Sequence, residues 1–98
     1  MRHSVRHALE PSCAREVLGK ALETYRQGYG EYDVETAWLD DERATVGFTM
    51  PGGKVQGTIR VGSDSYDIDL DLPLMLQPFS GRIVGMVDQE LQRWIARA

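Results

Sequence analysis

The sequence predicts an α+β fold: a two-layer sandwich in which a curved antiparallel sheet carries both helices on one face, in the order β-α-β-β-β-β-α. Three observations predict it. Five short stretches alternate apolar and polar residues, and two longer ones repeat apolar residues every three or four positions. Tight turns built from Gly, Pro, Ser and Asp, with no intervening helices, separate the last four strands. At 98 residues with 42% hydrophobic content, residues 1–98 are expected to form one domain whose single core needs neither metal nor disulfide.

The first strand is read from His3, Val5, His7 and Leu9, which alternate with Ser4, Arg6 and Ala8. Pro11 then suits the first turn of a helix, with Ser12 as its expected cap. Ala14, Val17, Leu18, Ala21, Leu22 and Tyr25 form the apolar stripe of that helix, and Gly28 ends it. A linker over Gly28–Glu31 leads to the sheet. Tyr32, Val34 and Trp38 mark the next strand, and Asp40-Asp41-Glu42 turns the chain. Ala44, Val46, Phe48 and Met50 line one side of the third strand, and Pro51-Gly52-Gly53 is a strong hairpin signal. Val55, Gly57, Ile59 and Val61 line the fourth strand, and Gly62-Ser63-Asp64 turns into the fifth.

That fifth strand and the closing helix form the most apolar stretch of the chain. Tyr66, Ile68, Leu70 and Leu72 point one way and Asp67, Asp69 and Asp71 the other. Pro73 stops the ladder. Leu76, Phe79, Ile83, Met86, Val87, Leu91, Trp94 and Ile95 then fall on about half of a helical wheel. Pro78 cannot sit deep in a helix, so a short turn is expected at Leu74–Gln77 and regular helix from Phe79 to Arg97.

Charge is unevenly spread. Residues 1–30 carry a net +2, residues 31–72 a net −7 and residues 73–98 a net +1, which together give the chain its −4. An acidic sheet repels phosphates, so nucleic acid is not an expected partner. MRHSVRHAL has basic residues without a continuous apolar core, so no cleavable leader is expected. No apolar run reaches the ~18 residues of a membrane span. The lone Cys13 fits a reducing compartment, and the expected location is the cytoplasm.

Catalytic chemistry has no visible constellation: no nucleophile with a base, no phosphate loop and no metal-ligand cluster. Neither a catalytic residue, a metal site nor a cofactor is therefore assigned. His3 and His7 lie ~13 Å apart on a strand, too far to share an ion. Cys13 stands near a helix start but lacks a partner base. Asp67, Asp69 and Asp71 are spaced ~6.7 Å apart on an extended strand, unlike the curled loops that hold calcium. They are expected to form a solvated face paired with Arg43, Lys54 and Arg60.

Two features could bind something. Trp38, Phe48, Tyr66, Phe79 and Trp94 are candidates to line either the core or an apolar cavity between sheet and helix; Tyr32 shares their spacing. Gly81 and Gly85 form a small-xxx-small pair inside a helix, where each costs ~1 kcal/mol against alanine. Close approach of another helix, from this chain or a second copy, would explain them, and softness near Pro78 is the alternative. A homodimer through the last helix or a sheet edge is expected.

Taken in order, several of these residues resemble one family. His7-Ala8-Leu9 ends a short strand, and Ala14-Arg15 opens a helix. Tyr32 and Ala37-Trp38-Leu39-Asp40 follow, then Val55-Gln56-Gly57-Thr58-Ile59-Arg60-Val61. Leu70-Asp71-Leu72-Pro73-Leu74-Met75-Leu76 leads into a long closing helix. The set resembles the small bacterial family of putative polyhydroxyalkanoic acid system proteins over nearly the whole chain. Glu10-Pro11, where a glycine commonly follows, and the extra Pro78 depart from it. The resemblance implies a non-enzymatic accessory protein of the polyhydroxyalkanoate storage system. Its implied partners are granule proteins or the polyester surface, and it implies no catalytic residue. The topology is also similar to a reduced helix-grip fold, which implies the alternative of a miniature binder of a small apolar ligand under the C-terminal helix.

Overall fold

A computed structural model describes residues 2–28 and 32–98. Of the expected Gly28–Glu31 linker only Gly28 lies within the described residues. The elements are β1 (Arg2–Arg6), α1 (Pro11–Gly28), β2 (Glu35–Trp38), β3 (Arg43–Met50), β4 (Gly53–Val61) and β5 (Ser65–Asp71). A 3-10 turn (Leu74–Phe79) and α2 (Ser80–Arg97) complete the chain. The sheet runs β1-β5-β4-β3-β2 with every neighbour antiparallel, so the α+β order β-α-β-β-β-β-α is the one observed.

Alternation along the strands decides which face is covered. Val5, Val46, Val55, Ile59, Ile68 and Leu70 all point inward and are buried. They meet Val17, Leu18 and Leu22 of α1 and Ile83, Val87 and Leu91 of α2 in one core, so both helices lie on the same side. Three polar contacts pin the layers. The Tyr66 hydroxyl donates to the Ala14 carbonyl at 2.6 Å, tying β5 to α1. The Tyr25 hydroxyl donates to the Met86 carbonyl, tying α1 to α2. His3 Nε2 lies 2.6 Å from Asp88 Oδ2, tying edge strand β1 to α2.

Several boundaries differ from expectation. β1 ends at Arg6 and does not run on to Leu9, because the Leu9 N–H is turned back onto the His7 ring at 3.1 Å and has no partner strand to reach. Ser12 is not the cap of α1, because the helix already begins at Pro11 and the Ala14 N–H reaches the Glu10 carbonyl at 2.8 Å. Proline has no N–H to lose at a first helical position, so the cap moves one residue back from it. β2 starts at Glu35 instead of Tyr32, since Asp33 sits at φ 53° and turns the chain; aspartate tolerates that left-handed region better than most residues. Finally, α2 starts at Ser80, and the 3-10 turn that precedes it contains Pro78.

Glycines are required at two places. The Pro51-Gly52 tip puts Gly52 at φ 108° and Gly53 at φ 144°, conformations that side chains other than hydrogen rarely adopt. At Gly57 the constraint is space: a Cβ there would sit 2.5 Å from both the Asp69 carbonyl oxygen and Leu70 Cδ2.

Candidate functional site

The five aromatic candidates do not gather round one cavity. Tyr66 is 0% exposed and its hydroxyl is committed to α1. Burial pushes its pKa up to about 12, with the nearby Cys13 adding to the effect. Trp38 is half-buried, with the Arg15 guanidinium 4.4 Å from its ring centre. Trp94 is also half-buried; its Nε1–H donates to Glu90 Oε1 at 3.0 Å, and Arg97 lies over its ring. Phe48 does border a void between sheet and helices, shared with Leu18, Tyr25, Val46, Val87 and Leu91. That void measures about 20 Å³. It has room for about one water, where ligand pockets start near ~300 Å³.

Phe79 is a correction. It is 49% exposed, neither core nor cavity lining. Its backbone, at φ −99° and ψ 10°, breaks helical phase between the 3-10 turn and α2. A wheel extended back from Ile83 therefore does not reach it.

Gly81 and Gly85 lie on the outer side of α2, and a Cβ at either would meet nothing within 4 Å. The first helix is thus not the close neighbour that would explain them. The acidic row faces solvent as expected, with contacts from the neighbouring edge strand that the sequence did not suggest. Arg2 Nε stands 3.8 Å from Asp69, and the Ser4 and Ser65 hydroxyls donate to Asp67 at 2.9 and 3.2 Å. Arg43 instead closes the β2–β3 turn on Asp40, and Lys54 pairs with Glu35 at 3.6 Å. The hydrogen bond from the Glu42 N–H, followed by the Arg43 guanidinium, holds the Asp40 carboxyl below its ordinary range. Among the described residues no group of three acids, histidines or cysteines is arranged to hold a metal.

The bare face of the sheet carries an open depression of about 770 Å³ between Glu35, Thr45, Gln56, Thr58 and Asp71. Its polar lining is threonine hydroxyls, the Gln56 amide, Lys54 and the carboxylates of Glu35, Asp69 and Asp71, with no histidine, cysteine or serine among them. The two histidines serve the fold. His7 is buried between β1 and the β4–β5 turn, accepting the Leu9 N–H at Nδ1 (3.1 Å) and facing the Gly62 carbonyl through Nε2 (3.1 Å). That pair of contacts requires the neutral ring with its proton on Nε2.

The most unusual surface is one that strand and helix periodicity did not mark. Leu74 is 80% exposed and Met75 73% exposed, beside the half-exposed Phe79. Leu76, between them, is only 3% exposed and anchors the turn in the core. The β3–β4 hairpin tip packs against the same turn: a Cβ at Gly52 would be 3.1 Å from Leu76, and one at Gly53 would be 2.7 Å from Pro73. Residues 50–53 and 72–81 contain no charged side chain, in a chain that is 27% charged. Bordered in sequence by Lys54, Asp71 and Arg82, they make one end-to-end uncharged stretch that carries exposed large apolar side chains. The available signal was Leu74 and Met75 themselves, apolar residues outside the helical stripe.

A family model described as "Putative polyhydroxyalkanoic acid system protein" matches residues 3–95 of the chain. No curated protein and no solved structure matches it.

Proposed function

The chain belongs to the polyhydroxyalkanoic acid system family, and from that premise we propose that it is a non-enzymatic accessory protein of the bacterial polyester storage system. It works in the cytoplasm, at the granule surface or on the proteins that coat it. The observation that carries this is the uncharged stretch built from Leu74, Met75 and Phe79 on the Pro51-Gly52 hairpin. Large apolar side chains exposed together, without charge among them, lose free energy in water and gain it on contact with an apolar partner. An apolar-ligand binder of helix-grip type would need an interior space, and the void of about 20 Å³ beneath the helices gives such a ligand no room.

Granule fractionation tests the proposal. In a polymer-accumulating bacterium, the tagged chain should sediment with native granules and remain there through washing. Recovery in the soluble fraction alone, at the same expression level, would refute it.

A further inference from the structure

We infer that the partner of the uncharged stretch is the polyester phase itself. This rests on the function proposed above and narrows it from granule or granule protein to one surface. Three observations point the same way.

The first is size. Leu74, Met75 and Phe79 expose on the order of a few hundred Å², whereas a stable protein interface takes ~800 Å² from each partner. A second copy docking through this stretch would be short of area. An extended apolar phase surrounds protruding side chains and needs no complementary patch.

The second is charge. A bilayer-binding segment generally sets basic residues beside its apolar ones, to meet anionic headgroups. Residues 72–81 contain none, only Arg82 and Lys54 border the patch in sequence, and the whole chain carries −4. An uncharged polymer asks for the opposite composition, because a charged side chain pressed against it would lose its water without gaining a partner. Polyester chains present only ester oxygens, which accept hydrogen bonds. The exposed Gln77 brings an amide donor to that surface.

The third is local structure. The apolar residues stand on a 3-10 turn interrupted by Pro78, with no side-chain cap at the start of that turn or of α2. Gly81 follows in open space. Leu and Met side chains on such a turn can be rearranged at low cost, and methionine in particular packs against irregular surfaces. An amorphous solid has no fixed shape to match, so conformability serves better here than a preformed groove. Leu76, buried beneath the turn, keeps it attached to the core.

The test uses the purified full chain and amorphous polyhydroxybutyrate particles free of protein. The wild type should pellet with the particles, with little change when salt is raised, since no charge pair is being screened. A variant combining Leu74→Ser, Met75→Ser and Phe79→Ser should bind roughly tenfold more weakly or worse. Its thermal melt should fall only modestly, because Leu74 and Met75 are mostly exposed and Phe79 is half-exposed. Asp69→Asn, on the bare sheet face, should bind like the wild type. Unchanged pelleting of the triple variant would overturn the inference. So would stronger, salt-sensitive binding to phosphatidylglycerol vesicles, or a dimer in light scattering that the triple variant dissolves. A chain that sediments with native, protein-coated granules but not with bare particles defeats this inference and leaves the proposed function standing. Failure to sediment with either defeats both.

Discussion

Replacing Gly85 and Gly81 by alanine should stabilise the chain, and the gain can be worked from the space around them. A Cβ at either position meets nothing within 4 Å, and both glycines lie in α2 outside the positive-φ region. Alanine therefore introduces no clash, while removing backbone freedom that glycine loses on folding. Gly85 is well inside the helix, where the exchange is worth ~1 kcal/mol; Gly81 is in the first turn, where about half of that is expected. Together they should add ~1–1.5 kcal/mol and raise Tm by roughly 5–10 °C in a domain of this size. The assay is thermal and urea melting of the double variant, with light scattering across a range of protein concentrations. That second measurement matters because a glycine face could receive the helix of a second copy. A less stable variant would show that something covers these glycines. If the loss also grew with protein concentration and the wild type scattered as a dimer, the covering helix would be a second copy's. If the chain were monomeric throughout, the loss would mean that the outer face of α2 is placed wrongly.

Other outcomes follow from single contacts. Tyr66 favours its neutral phenol, with a folded pKa of about 12 against an ordinary value near ~10. Its contribution to stability is thus fully present below pH ~10 and is lost as pH rises through about 12; absorbance titration should show one tyrosine ionising last, and Tyr66→Phe should remove that step at a cost of ~1 kcal/mol. Gly57→Ala should cost ~1–3 kcal/mol in urea melts, because its Cβ would press on a backbone oxygen at 2.5 Å, which cannot swing aside; a neutral result would mean β4 and β5 are farther apart there. Trp94→Ala should cost about 2 kcal/mol, below the ~3–5 of a fully buried aromatic, because the ring is half-buried; a loss above that range would mean the ring is enclosed.

Residues that obey one period were legible in the sequence; residues at a change of period were not. Alternation placed Val5, Ile59, Ile68 and Leu70 inward, and spacing of three and four placed Leu18, Leu22, Val87 and Leu91 opposite them. These positions are overdetermined, since a slip of one residue would expose a whole face. Phe79 stands where 3-10 winding gives way to α-helix, and no single wheel describes both sides of that junction. Polar contacts between distant segments were equally hidden. His3 with Asp88, and Tyr66 with Ala14, join residues 85 and 52 positions apart, and nothing in their local sequence names the partner.

The same junction explains why the candidate site escaped periodicity. A helix continued smoothly from Leu72 would have to turn Leu74 or Met75 toward the core or strand them without support. Pro73 and Pro78 remove that choice by restricting backbone angles and denying helical hydrogen bonds on either side of the turn. Leu76 goes inward at 3% exposure while Leu74 and Met75 remain outside at 80% and 73%. The exposure is held in place from both directions. Gly53 lets Pro73 lie against the hairpin where a side chain would collide with it, and Leu76 fastens the turn to the core beneath. Apolar residues stranded by accident need no such support; here a proline, a glycine and a buried leucine keep three large side chains in water. The arrangement accounts for the side chains' position by packing, and the proposed contact with an apolar phase would account for their chemistry.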